Sequence, residues 1–226
     1  MAALALTLVA GCSQVEETAA VPETTETPAA KADPTPADLA VLTLTVADLP
    51  TGGWTLAQSG VGIGSQGAET STDKAPGDIC GLDFASVFAP DSSDDVNGNI
   101  FTRASLDQQL NTGVFIVEDG EQVVADLNTG LDSCSGPFTS TRDGQETRVQ
   151  IDELAGGEAA IEGDSKACRQ VEMTFGYTSI DGSFCFVADG DLVVSTMTTS
   201  TSTSTVQPDE FAQLSNTATQ KAFASR

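Results

Sequence analysis

Four cysteines, Cys80, Cys134, Cys168 and Cys185, limit what this chain can fold into more than any other feature of it. They are even in number and widely spaced, with no Cys-x-x-Cys and no histidine anywhere to complete a zinc site. In an exported chain such a set reads as two disulfides rather than a metal centre. Four cysteines allow three connectivities. Cys80–Cys134 and Cys168–Cys185 are favoured because each pair joins sequence neighbours, and the second would tie two consecutive strands. Loop closure would contribute roughly 4 kcal/mol for the longer loop and roughly 3 for the shorter. Against a net domain stability of about 5–15 kcal/mol, either bridge would matter.

The fifth cysteine points to where the chain works. Leu8-Val9-Ala10-Gly11-Cys12 closes a short apolar run and resembles a bacterial lipobox, with small residues just before a cysteine. Residues 1–11 then read as a lipoprotein signal peptide. No Lys or Arg precedes Cys12, so a basic segment is expected further upstream. The run is too short to span a bilayer, which takes about 20 apolar residues. Cleavage before Cys12 and transfer of a diacylglyceryl group would hold the chain on the outer face of the cell membrane. One acyl chain binds marginally, whereas two anchor stably. Residues 12–38 carry the lipidated cysteine and a Pro/Thr/Glu-rich linker, including Val21-Pro22-Glu23-Thr24 and Pro34-Thr35-Pro36. With almost nothing to bury, that stretch is expected to be disordered. Residues 39–226 are expected to form one folded domain.

The chain has 226 residues, 9 Lys+Arg against 33 Asp+Glu, and a net charge of −24. Nucleic acid and anionic head groups would be repelled over a Debye length of about 8–10 Å, so no nucleic-acid partner is expected. Cationic ligands and divalent ions are compatible with this balance, although surface acid in an exported protein usually serves solubility alone.

Helical spacing is clearest over Glu118–Cys134, where Val123, Val124, Leu127, Leu131 and Cys134 recur on one face. Pro208 opens a final helix with Phe211, Leu214, Ala218 and Ala222 on one side. Thr45–Pro50 reads as a short helical turn with Thr45 as N-cap. Strands are expected over Asn99–Leu106, Gln145–Leu154, Arg169–Thr178, Ser183–Ala188 and Leu192–Thr198, with Asp189-Gly190 making a tight hairpin. Val114–Val117 reads as a short buried strand or a lead into the first helix. Gly60–Asp78 reads as loop. The expected fold is α+β: an antiparallel sheet packed with two main helices, held by two disulfides.

Motifs that carry chemistry are weak. Gly62-Ile63-Gly64-Ser65-Gln66-Gly67 matches GxGxxG, but its flanks are neither the strand nor the helix that a dinucleotide site needs. Asp91–Asn99 is acidic, yet aligning Gly98 with the glycine of an EF-hand puts Ser93 first and Ala104 last, so the bidentate glutamate is missing. A solvated turn is the reading there. Without histidine, Ser-His-Asp and Cys-His arrangements cannot form within this sequence, and Gly163-Asp164-Ser165 has no base beside it. Paired carboxylates cannot be picked out of so many acids. No catalytic residue, cofactor or metal is expected, and no ligand-binding residue is assigned. Trp54 and Phe115 are candidates to line a ligand cleft, with burial in the core as the blander reading.

Leu44-Thr45-Val46-Ala47-Asp48-Leu49-Pro50, followed shortly by Trp54, resembles the opening of sensor-like domains of actinobacterial lipoproteins, which are similar to the PknH-like extracellular sensor domain. The later order also fits: a first Cys, a strand, a helix ending at the second Cys, strands carrying two more, and a terminal helix. The resemblance implies a disulfide-tied α+β domain with a cleft that binds an unidentified ligand and does not catalyse. The function expected is therefore a non-catalytic ligand-binding or sensor module, lipid-anchored outside the cell, with a small molecule or envelope component as partner. The alternative is a structural lipoprotein that binds a protein or wall polymer.

Overall fold

A computed structural model of the chain describes residues 35–50, 52–61, 95–134, 136–142, 145–201 and 204–224. Cys12, Cys80, the Gly62–Gly67 motif and residues 91–94 of the acidic run lie outside the described residues.

The first element is helix α1, Pro36–Leu42. Its start is written in the sequence twice over. Proline at the first helical position has φ already set, and the Asp38 carboxylate accepts both the amide (2.9 Å) and the hydroxyl (2.6 Å) of Thr35. Those two hydrogen bonds, the hydroxyl's first, hold the Asp38 carboxyl below the usual carboxylate range. The same device recurs one turn on, where Asp48 accepts from the amide and hydroxyl of Thr45 (both 2.7 Å) and closes the 3-10 turn Val46–Asp48.

Eight strands follow among the described residues: β1 (Thr55–Val61), β2 (Val96–Arg103), β3 (Gln108–Ile116), β4 (Phe138–Arg142), β5 (Gln145–Glu153), β6 (Ser165–Phe175), β7 (Thr178–Asp189) and β8 (Leu192–Ser200). They form one sheet in the order β1-β2-β3-β8-β7-β6-β5-β4. Every pairing in it is antiparallel. Helix α2 (Gly120–Asp132) bridges β3 and β4 in sequence, and α3 (Pro208–Phe223) ends the described chain. All these residues belong to the compact unit Ala32–Arg226.

The period of two divides the core between the faces. Along β8, Leu192 and Val194 join Leu39, Leu42, Phe101, Leu110, Leu214, Ala218 and Ala222 under α1 and α3. Val193, between them, joins Val124, Leu127, Leu131, Phe115 and Phe184 under α2. The result is three layers, with the sheet in the middle.

This architecture overturns the expected balance of two main helices on a sheet with two disulfides. The eight-stranded sheet dominates, and among the described residues three α-helices pack on it, of 7, 13 and 16 residues. The additional helix is α1, which begins inside the stretch read as linker because its Pro, Thr and Asp are helix-start residues as well as linker residues. The additional strands are β1, most of β3, and β4. All three carry polar residues where alternation would need apolar ones. One complete disulfide is found among the described residues, Cys168–Cys185. Cys134, just beyond α2, is itself disulfide-bonded.

Cys168 and Cys185 are direct cross-strand partners on β6 and β7, with Cα atoms 4.0 Å apart. Both are fully buried, packed with Leu154, Ile161, Val187 and Phe211 beneath α3. Beyond Glu153 strand β5 stops covering β6. There Glu158 takes its place, accepting the Cys168 amide (2.9 Å) and pairing with Arg169. The β7–β8 hairpin turns at Gly190-Asp191, with Gly190 in the left-handed region (φ 60°).

Candidate functional site

Trp54 and Phe115 do not share a cleft. Both are buried, but Trp54 lies under α1 and α3 while Phe115 lies under α2, on the opposite face of the sheet. Trp54 instead supports a charge. The Arg103 guanidinium stacks 4.2 Å from the Trp54 ring centroid, pairs with Glu210 in the first turn of α3, and donates to Gln108 Oε1 (3.0 Å). Gln108 in turn donates from its carboxamide to the Ser204 carbonyl. Arg169 is similarly committed on the other face. It pairs with Asp132 and Glu158 and donates to Asn128 Oδ1 (3.0 Å) and the Cys168 carbonyl (2.7 Å).

Asp48, in the segment that carries the family resemblance, joins the two ends of the described chain. Its carboxylate accepts from Lys221 Nζ (2.6 Å) of α3 as well as from Thr45. Partial burial, the largest single effect, pushes this carboxyl up. The hydrogen bonds from Lys221 and Thr45, with the Lys221 charge, outweigh it and hold Asp48 below the ordinary carboxylate range. From the acidic run, Asn97 and Asn99 are strand residues of β2 rather than part of a solvated turn. Asn97 Oδ1 accepts the Thr43 hydroxyl (3.2 Å), and the Asn99 carboxamide donates to the Leu44 carbonyl.

Among the described residues, two concavities stand out as candidate binding sites. The larger, about 790 Å³, is an open depression beside the N-terminus of α2. Asp119, Glu121, Asp164 and Asp191 line it, with Lys166 and Ser165. Much of its polarity is already used by the fold. Asp191 Oδ1 accepts the Asp119 amide (3.1 Å), and Glu121 Oε1 accepts the Gly190 amide (3.1 Å). Ser165 donates to the Glu121 carbonyl (2.9 Å), and Lys166 reaches back to the Ile161 carbonyl (2.6 Å). These contacts dock the β7–β8 hairpin on α2. Ser165, from the Gly-Asp-Ser fragment, is thus a structural hydroxyl. The smaller concavity, about 70 Å³, lies on the α3 face, where Gln170, Asp181, Ser183, Thr198 and Pro208 converge. Sequence reasoning missed it, because its residues come from three strands and a helix start.

Among the described residues no group of three or more His, Cys, Asp or Glu is placed to hold a metal ion, and no helix is long and apolar enough to cross a membrane. No protein-family model matches the chain. No curated protein matches it by sequence. Among solved structures, the chain is similar to the crystal structure of the extracellular domain of PknH from Mycobacterium tuberculosis. The match has 14% identity and a TM-score of 0.49, and covers 81% of this chain and 96% of that one.

Proposed function

We propose that this chain is a membrane-anchored lipoprotein whose folded part is a non-catalytic ligand-binding or sensor module, displayed outside the cell. The observation that carries this reading is the buried Cys168–Cys185 bridge, in a chain whose Cys12 follows a short apolar run ending in small residues. A disulfide built into the core needs an oxidising compartment. A lipidated Cys12 would keep the exported chain at the membrane on two acyl chains. The polar Pro/Thr/Glu stretch after it, ahead of α1, would let the folded part stand off, by roughly 70 Å if it were extended as polyproline II. Binding rather than catalysis is favoured by the commitment of both buried arginines to fixed ion pairs that brace the fold.

The non-reduced intact mass of the protein extracted from its native membrane tests the anchor. A chain starting at Cys12 with a diacylglyceryl adduct is the expected result, and an unprocessed chain with free thiols would end the proposal. Native mass spectrometry of the same preparation tests the module. A bound small molecule is expected in at least some growth conditions, and a domain that is bare in all of them would count decisively against it.

A further inference from the structure

The 70 Å³ recess on the α3 face has a chemistry that the fold does not consume. Gln170, Ser183 and Thr198 are successive cross-strand partners on β6, β7 and β8, so their side chains stand in a row on one face. Thr198 is 2% exposed, yet neither it nor Gln170, Ser183 or Asp181 has a side-chain hydrogen-bond partner among the described residues. Thr198 is buried as a residue, yet its hydroxyl is not among the fully buried unpaired groups, so it opens into the recess and can take a partner from outside the chain. Leu154, Val206 and Pro208 supply the apolar wall opposite.

We infer that this recess binds the edge of a neutral polyol, a pair of vicinal hydroxyls on a sugar or sugar alcohol. The inference deepens the binding-module reading and rests on it. Three observations select that class. Asp181 in the lining, on a chain of net charge −24, disfavours an anion. A single carboxylate is too few for a divalent cation, which gathers six or more oxygens and prefers several charged ones. The unpaired hydroxyls and carboxamide disfavour a purely apolar occupant. A diol edge offers donors to Asp181 and Gln170, both donors and acceptors to Ser183 and Thr198, and its C–H face to Leu154 and Val206. The volume suits it: the recess is several times the roughly 15 Å³ that a single water needs, yet small enough to take only the few atoms of one diol edge, with the rest of the molecule outside.

The test is a titration of the full oxidised chain, ¹⁵N-labelled, with myo-inositol, maltose and ethanolamine separately, followed by amide shifts. Saturable shifts centred on Gln170, Ser183 and Thr198 are expected with a polyol and not with ethanolamine. Preference for maltose would assign the recess to a glycan chain, and preference for myo-inositol to a free solute; both support the inference. Thr198→Val keeps the β-branched shape and should weaken binding about tenfold. Ser183→Ala gives a second reading if T198V melts at a lower temperature. Shifts with ethanolamine in place of the polyols would make this an amine site, and no saturable shift with any solute would make it merely hydrated. Either result overturns the inference. Neither touches the anchor or a ligand seated elsewhere, which the membrane-extracted preparation reports separately.

Discussion

Asp48 is a side chain with two duties, closing a 3-10 turn through Thr45 and holding Lys221 on the last helix. Replacing it with asparagine removes the charge and weakens both, at a cost of about 1 kcal/mol near neutral pH. Its folded-state carboxyl titrates below the ordinary range, so the unfolded chain binds protons more readily than the folded one in acid. The contribution is therefore fully present above the unfolded value of about 3.9, shrinks as the pH falls through it, and is gone below the folded value. Urea midpoints of wild type and D48N should differ at pH 7 and converge below about pH 4. A gap that stays constant into acid would show that the carboxylate charge is not what holds this contact.

Helix α3 illustrates what an element needs in order to dock on a polar sheet. Phe211, Leu214 and Ala222 are fully buried, but between them come Ser215 and Thr219, whose hydroxyls have no partner among the described residues. Between the Arg103–Glu210 and Asp48–Lys221 ion pairs near its two ends, the apolar contacts carry the docking of its middle. Leu214→Ala should cost about 3 kcal/mol, counting lost transfer energy and the cavity left behind, in a denaturant melt. Exposed Gln213 on the same helix should tolerate alanine within about 0.5 kcal/mol. A similar loss from both would mean that helix propensity, not packing, holds α3. The apolar period that marks Phe211, Leu214, Ala218 and Ala222 was plain in the sequence, as was that of α2. The alternation of β5 to β8 was plain as well. The polar strands were not. Gln108, Thr112, Asn97, Asn99, Thr196 and Thr198 point inward, and inward polar residues erase the signal that identifies a half-buried strand. The candidate sites were less legible still. Whether Trp54 and Phe115 share a face, or Gln170, Ser183 and Thr198 a row, depends on register across strands far apart in sequence, and one-dimensional patterns do not contain it.

At the scale of the whole molecule, the sheet runs unbroken from β1 to β4 and is stapled near its middle by Cys168–Cys185. The two cysteines are 17 residues apart and at most 1% exposed. A reductant should therefore reach this bridge only through opening of the α3 layer. Peptide mapping after brief thiol treatment should find it intact in the native protein and broken once denaturant is added. Removing it by C168S/C185S should lower stability by roughly 3 kcal/mol. Ready reduction in native buffer would place the bridge at an open edge instead of beneath a helix.

The Asp48–Lys221 contact, with α1 lying against α3, brings the entrance and the exit of the described chain together on one layer. That makes the fold a closed loop in the mechanical sense. A tug arriving ahead of Thr35 would enter at α1 and be shared at once with the terminal helix, loading the two in shear instead of peeling strands from the sheet edge one by one.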